Sequence, residues 1–220
     1  MKKRIFLIFW CLLLCVTVSF SWIITNKENI VKFVRVDYTG NNGTLVVAPK
    51  KIQMSVLMND PTTNEMKVIG SSTDVKNPNN ELFEVKNIVP NSNVPFKIRL
   101  KNKSSEVIQL KISLERFVCD ERLLQEGNSK IYLSAVAGSN YANYPNVVAP
   151  ENIYEPLSVA QKMENSEENE YYLTLYEMVR VPPTGQDGFV DIDCYFYFDK
   201  NMDNTYQDLD FSVLSFRAVE

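Results

Sequence analysis

The stretch from Asp199 to Asp210 carries the side chains best suited to hold a metal ion. Asp199, Asn201, Asp203 and Asp210 place oxygen atoms at its positions 1, 3, 5 and 12. Ca²⁺ prefers oxygen ligands, and the EF-hand loop uses this kind of spacing. Asn204 stands at position 6, where an EF-hand has glycine, and strand-like sequence flanks the stretch. A calcium site and a polar connection between two strands both fit, since turns use the same residue types.

Histidine, the side chain that titrates near neutral pH, is absent from the whole chain. Ser-His-Asp and Cys-His nucleophilic pairs and histidine-based zinc sites are therefore excluded. Two carboxylates can hydrolyse a glycoside without histidine, but among the 27 acidic residues no pair stands out. We therefore predict that the protein is not an enzyme and that it holds no cofactor apart from the candidate Ca²⁺.

Two cysteines, Cys119 and Cys194, lie beyond the N-terminal apolar segment. In an exported chain such a pair can form a disulfide. The bond would close a long loop, and the chain-entropy model gives it roughly 4 kcal/mol of stabilisation. Two separate buried thiols in strands are the equal alternative.

The N-terminal residues have the pattern of an export signal. Three basic residues at positions 2–4 precede an apolar run over 5–16, and Ser19 and Ser21 are spaced as at a signal-peptidase site. We expect signal peptidase to remove residues 1–21. Alternatively, residues 5–24 stay as a membrane anchor, because a span needs ~20 apolar residues. Both alternatives place the folded part outside the cell, either secreted or at the cell surface.

Alternation of apolar and polar residues predicts antiparallel strands over most of the remaining chain. It is strongest over 94–101, 108–115 and 189–198, and the first two are predicted to pair as a hairpin because their connection is short. A last strand follows from Leu209, and Leu157–Glu164 is the best helical stretch. Weaker strand predictions cover 31–38, 52–58, 66–69, 82–88, 131–137 and 171–181.

About nine or ten short strands separated by turn residues predict an all-β, antiparallel β-sandwich of the jelly-roll or Ig-like type. We expect one domain over 22–220 with an irregular insertion around 120–170. Within that insertion, Tyr141, Tyr144 and Tyr154 either form an exposed patch or pack onto the sandwich. The net charge of -4 argues against nucleic acid or an anionic membrane surface as a partner.

Several stretches resemble TasA/camelysin-type exported proteins of Gram-positive bacteria. The export segment ending at Ser19-Phe20-Ser21-Trp22, followed by a polar stretch and a strand, resembles their N-termini. Residues 83–112 are similar to the core hairpin of that family, with Asn91 where glycine is usual. Residues 196–199 and 209–216 resemble its closing hairpin.

The resemblance implies a jelly-roll-like sandwich that serves as a subunit of an extracellular biofilm matrix. Matrix members of the family assemble into fibres by passing an N-terminal strand into the next subunit. Here Asn29–Tyr38 would be that strand, unless it pairs within its own domain. The proteolysis described for the camelysin branch is not carried over, because no histidine is available to hold a metal.

We therefore expect an exported structural or matrix-type surface protein, whose partners are itself or other matrix proteins. The alternative is a cell-surface adhesion module that binds a glycan or a protein through the tyrosine-rich loop at 138–156. A β-sandwich serves both functions equally well, since a fold does not determine a function.

Overall fold

The computed structural model describes residues 35–37, 44–48, 50–60, 63–72, 81–124, 130–164, 169–185, 187–202 and 209–220. The predicted signal or anchor and the first part of the predicted strand at 31–38 lie outside these residues. Within the described ranges, no helix is long and apolar enough to cross a membrane.

The described part of the chain contains thirteen strands and three short 3₁₀ turns. The strands are β1 (Arg35–Asp37), β2 (Thr44–Ala48), β3 (Ile52–Asn59), β4 (Met66–Ser71), β5 (Phe83–Lys86), β6 (Ser92–Asn102), β7 (Ile108–Cys119), β8 (Ile131–Ala137), β9 (Ile153–Pro156), β10 (Gln161–Lys162), β11 (Glu170–Val181), β12 (Val190–Phe198) and β13 (Phe211–Val219). The turns are Glu121–Leu124, Ser139–Asn143 and Leu157–Val159.

These strands form two sheets. The first sheet has the order β1-β5-β13-β7-β11-β10, with β2 also paired to β13, and the second has the order β4-β3-β6-β12-β8-β9. The β2–β13 pair is parallel, and the other pairs are antiparallel. The prediction of an antiparallel all-β fold with two sheets is confirmed for the described residues, with the β2–β13 pair as the exception.

The hydrophobic core lies between the two sheets, where each contributes the apolar side of its alternating strands. Phe96 and Phe196 come from the second sheet, and Phe83, Phe211 and Phe216 come from the first. The ring centroids of Phe96 and Phe196 are 5.5 Å apart, and those of Phe196 and Phe211 are 4.9 Å apart. Such aromatic contacts add to the free energy that burial of the rings already provides.

The predicted hairpin between β6 and β7 is wrong, because the two strands lie in different sheets. Strand β6 pairs with β3 and β12, and β7 pairs with β13 and β11. The buried Asn102 stabilises the crossing: its amide nitrogen donates to the carbonyls of Glu106 at 2.7 Å and Val181 at 3.0 Å. Its side-chain oxygen accepts from the backbone of Ser104. Alternation of apolar and polar residues is the same in two strands of opposite sheets as in the two strands of a hairpin, so it could not distinguish the two arrangements.

The predicted helix over Leu157–Glu164 is also wrong. The chain forms only the 3₁₀ turn at Leu157–Val159 and then extends into β10, where Gln161 pairs with Tyr172. Within this stretch only Leu157 is buried, so a helix here would have no apolar stripe to pack against the core.

The remaining strand predictions are confirmed within the described residues, with shifted ends. Residues 35–37 pair with β5 of the same chain, which is the internal alternative for the N-terminal strand. Residues 196–199 and 209–216, which resemble a closing hairpin, do not form one, since β12 and β13 lie in different sheets. Strands β2, β9 and β10 were not predicted.

Candidate functional site

A groove of about 820 Å³ lies between the segment 148–155 and residues 175–180 of β11. The segment 148–155 includes the first three residues of β9, which is an end strand of the second sheet. Strand β11 is next to the end of the first sheet, and its outer neighbour β10 pairs only with Tyr171 and Tyr172. The groove therefore lies where both sheets, in the part of the chain that the structure describes, have an open edge.

Three large apolar side chains of the groove are exposed to solvent. Val148 is 71% exposed, Met178 is 55% exposed and Tyr154 is 52% exposed. Single exposed apolar residues are ordinary, but several together on one concave surface are typical of an interaction site.

Tyr154 also begins a row of tyrosines on the outer face of the second sheet. Its ring stacks on Tyr132 of β8, with centroids 4.7 Å apart and planes 9° apart. The ring of Tyr132 is in turn 6.4 Å from that of Tyr197 on β12. Partial burial and the neighbouring phenols raise the pKa of Tyr154, so its hydroxyl stays neutral and able to donate a hydrogen bond.

The charged side chains of the groove are mainly acidic. Glu151, Glu155 and Glu177 line it together with one cation, Arg180. Glu177 pairs with Lys111 at 2.9 Å. Neither Glu151 nor Glu155 has an ion-pair partner among the described residues. The wall formed by segment 148–155 therefore carries two uncompensated carboxylates.

The tyrosine-rich loop at 138–156 divides into an anchored half and an exposed half. Tyr141 is buried, its hydroxyl makes no hydrogen bond within the described residues, and desolvation raises its pKa. Tyr144 is half-buried and packs against Gly188, where an added Cβ would lie 2.7 Å from the Tyr144 hydroxyl. Of the three tyrosines that the sequence singled out, only Tyr154 contributes to the groove.

A polar cluster attaches the start of this loop to β12. The Arg99 guanidinium donates two hydrogen bonds to the Asp191 carboxylate, at 2.8 and 3.0 Å. The amide of Asn140 accepts from the backbone of Asp191 at 3.0 Å and donates to the carbonyl of Phe189 at 3.2 Å. The backbone of Gly138 donates to the carbonyl of Asp191 at 2.8 Å. The contacts of Gly138 and Asn140 thus attach the start of the loop to β12, beside the Arg99–Asp191 pair that joins β12 to β6.

The candidate calcium residues are only partly described. The Asp199 carboxylate accepts a hydrogen bond from the backbone of Asn201 at 2.7 Å, and the Lys130 ammonium donates to the Asn201 carbonyl at 2.8 Å. Asp210 is exposed just before β13, and Asp203 lies outside the described residues. No group of three or more acidic, cysteine or histidine side chains that could hold a metal occurs in the described ranges. Calcium binding stays a prediction.

Cys119 and Cys194 are buried free thiols in this structure, on strands of different sheets. The structure thus has the alternative of two separate thiols, and a disulfide between them stays a prediction. Desolvation, with smaller contributions from Asp120 and Glu121, raises the pKa of Cys119 to about 12. Burial likewise raises the pKa of Cys194. Thiols in this state are poor nucleophiles.

Comparison with known proteins identifies no family. No protein-family model and no curated protein matches the chain. Among solved structures, it is similar to one described as "AvmM Catalyzes Macrocyclization in Alchivemycin A Biosynthesis", with 11% identity and a TM-score of 0.29. The match covers 52% of this chain and 60% of that chain. The present chain therefore spans less than two thirds of that protein's length.

That structural neighbour is described as a catalyst, so it contradicts the prediction that this chain is not an enzyme, and we do not retain that prediction. At this TM-score and identity the likeness carries no argument about fold or reaction. The resemblance to TasA/camelysin-type proteins is not addressed by the match and stays a prediction.

Most of the groove was missed in the sequence. The sequence does not predict the groove residues Val148, Glu151 and Met178. They come from two segments more than twenty residues apart, and alternation of polarity does not indicate contacts between distant segments. One local signal was present in the sequence: the apolar pairs Leu175-Tyr176 and Met178-Val179 flank Glu177 and break the period of two, at an irregularity in the strand pairing.

Proposed function

We propose that the protein is an exported cell-surface binding module that takes its ligand in the groove between the 148–155 segment and β11. The clustering of Val148, Tyr154 and Met178 in one concave surface carries this proposal. When a ligand covers these side chains and removes them from water, each Å² of buried apolar area would contribute roughly 25 cal/mol to the free energy of binding. Export is supported by the signal pattern of residues 1–21, with tethering through residues 5–24 if the segment is not removed.

The finer fold that we propose is a jelly-roll-like sandwich that follows this N-terminal segment. The order of the strands supports it, since β5, β6 and β7 alternate between the two sheets, and β11, β12 and β13 do so again. Repeated crossing from sheet to sheet is typical of double-sheet architectures.

The test is a binding screen with the protein exported from its full-length gene. The probes are immobilised cell-wall polysaccharides and a library of random twelve-residue peptides. We expect the double variant Tyr154→Ala/Met178→Ala to bind at least about tenfold more weakly. A tenfold loss corresponds to about 1.4 kcal/mol of binding free energy, which the loss of two apolar contacts can supply. Met66→Ala is the matched control, since Met66 is 43% exposed on β4, at the opposite edge of the second sheet. Retention of every ligand by the double variant, or no ligand for the unaltered protein, contradicts the proposal.

A matrix subunit that assembles through residues 29–38 is the second candidate. The observation that favours it is β1, which in the described part of the chain is an end strand of the first sheet and pairs with β5 alone, over residues 35–37. An end strand that contacts one neighbour can be exchanged between copies. We expect filaments in light scattering and electron microscopy that vanish when residues 22–38 are deleted. A monomer at high concentration with this strand intact would reject the matrix function.

A further inference from the structure

We propose that the ligand of this groove is an extended peptide segment of another protein, which adds as a new strand to the open edge of β11. The segment carries apolar residues that alternate with Lys or Arg. This inference rests on the proposed function and specifies its ligand class.

The edge of β11 is the first argument. Strand β11 pairs with β7 from Glu170 to Val181, but β10 covers its other side only at Tyr171 and Tyr172. In the described ranges, no strand pairs with that side over residues 173–180, and no backbone hydrogen bond joins it to the 148–152 segment. Backbone donors and acceptors along such an edge are a template for a further strand.

The shape of the edge is the second argument. Residues 173–180 span roughly 26 Å at ~3.3 Å per residue, which is enough for a peptide of about eight residues. A second hollow, of about 230 Å³, follows the same edge and is lined by Val159, Leu173 and Thr174. Glu177 lines both hollows. In strand addition, backbone bonds provide affinity and successive hollows select alternate side chains.

The charge of the groove selects the composition of the peptide. Among the described residues Glu151 and Glu155 have no ion-pair partner and Glu177 is paired with Lys111. The groove lining thus has three carboxylates against one guanidinium, that of Arg180. Exposed apolar groups at Tyr154 and Met178 lie in the same groove. A peptide with apolar residues on one side and Lys or Arg on the other can contact both the apolar groups and the carboxylates of the groove. The complementary charge gives specificity, and the apolar contact gives affinity.

A charge-reversal selection tests the side-chain specificity. Random twelve-residue peptides displayed on phage are selected against the exported protein and against its double variant Glu151→Lys/Glu155→Lys. Both positions are exposed, so the fold is retained, which equal melting temperatures would verify. We expect alternating apolar and basic peptides for the unaltered protein and acidic ones for the variant. The same peptides for both proteins, or no enrichment, would overturn the proposal.

A backbone test then distinguishes strand addition from other binding modes. Two methylated versions of the selected peptide are compared, one methylated at the odd-numbered backbone nitrogens and one at the even-numbered nitrogens. Methylation removes hydrogen-bond donors, and in the version whose methylated nitrogens face β11 it should weaken binding by at least tenfold. Peptide binding should slow hydrogen exchange of amides in residues 173–180, and Met66→Ala should leave both results unchanged. Equal affinity of both methylated peptides, or protection elsewhere, contradicts strand addition. Protection of 173–180 that rises with protein concentration alone would identify a second copy as the occupant and overturn the heterologous peptide.

The two proposals can fail separately. If Tyr154→Ala/Met178→Ala abolishes binding to a polysaccharide and no peptide is enriched, the groove is a binding site and the peptide is the wrong ligand class. If neither polysaccharide nor peptide binding depends on these two side chains, both proposals are rejected.

Discussion

Strands β11 and β12 are both long, but they differ in regularity and in their neighbours. Strand β12 pairs with β6 over nine residues and with β8 over seven, without a register shift. Strand β11 pairs with β7 through three register shifts, and among the described residues no strand pairs with its other side beyond Tyr172. Bulges and open edges are common next to binding sites, because they free side chains and backbone groups from the ladder. We infer that β12 stabilises the fold and that β11 provides the binding surface.

The side chains of the two strands differ in the same way. On β12, Phe196 is fully buried and contacts the rings of Phe83, Phe96 and Phe211. On β11, Met178 faces the groove and is largely exposed. Substitutions on β12 should therefore change the free energy of unfolding, and substitutions on the outer part of β11 should change binding.

The largest effect is expected for Phe196→Ala. Removing a fully buried ring leaves a cavity among its aromatic neighbours and should lower the free energy of unfolding by about 3–5 kcal/mol. Met178→Ala should change it by less than about 0.5 kcal/mol. Guanidinium chloride unfolding of both variants measures the difference. Equal destabilisation by the two substitutions would remove the distinction between the strands.

Asp191→Asn should have the next largest effect. The substitution keeps the shape of the side chain but removes the charge that pairs with Arg99 near the start of β12. We expect a loss of about 1–3 kcal/mol in unfolding free energy, since charge-assisted bonds with little exposure are stronger than neutral ones. The control is Arg217→Gln, which breaks the more exposed pair with Glu115 and should cost less than about 1 kcal/mol.

Asp191→Asn should leave the groove intact, because the loop contacts Asp191 through its backbone nitrogen and carbonyl, which asparagine keeps. Peptide or polysaccharide binding should therefore stay unchanged while the variant is folded. Unchanged stability would show that the contact of Asp191 with Arg99 contributes nothing to the anchoring of β12.

The sequence predicted the strands of the core far better than their arrangement. Alternation located β6, β8 and β12 because one side of each strand is buried. It could not assign neighbours, since pairing depends on where the chain turns. The crossing at Asn102 depends on hydrogen bonds to Val181, 79 residues away. Strand β2 was missed for a related reason, since its partner β13 is at the other end of the chain.

The groove could be predicted only in part. Tyr154 was singled out because tyrosine is frequent in binding surfaces, but Tyr141 is of the same residue type and is buried. Tyr141 lies in the turn that Gly138 and Asn140 attach to β12, and such contacts between distant residues leave no local pattern in the sequence. The open edge of β11 follows from the shortness of β10, which lies where the sequence predicts a helix.

The buried thiols predict how stability changes at alkaline pH. The pKa of Cys119 is raised from 9.0 to about 12, so the thiol stays protonated in the folded protein while it ionises in the unfolded chain. This contribution is complete below pH 9 and is lost as the pH rises from 9 towards 12. Burial raises the pKa of Cys194 on β12 in the same direction.

We therefore expect the free energy of unfolding to fall above pH 9, and Cys119→Ala to reduce the slope between pH 9 and 10. Denaturant unfolding at several pH values measures it. Alkylation at pH 8 should label neither thiol in the folded protein and both in denaturant without a reductant. A loss of thiol titration in denaturant would instead show that the two cysteines pair.

The smallest effect is expected at Asn91, in the turn that precedes β6 and contacts the end of β12. Asn91 has a positive φ of 58°, and its backbone donates to the carbonyl of Phe198 at 2.8 Å. Glycine adopts this conformation without strain, whereas alanine pays roughly 1–2 kcal/mol. Asn91→Gly should therefore leave the unfolding free energy within about 0.5 kcal/mol, and Asn91→Ala should lower it by about 1 kcal/mol.

Asn93→Ala is the control for this turn, because Asn93 is exposed in β6 and has no positive φ. Thermal unfolding of the three variants is sufficient to rank them. If Asn91→Ala is as stable as Asn93→Ala, the turn does not hold the register in which β6 and β12 pair. The regularity of β12 would then depend on its buried side chains, its ladder with β6 and the ion pairs Arg99–Asp191 and Lys97–Asp193.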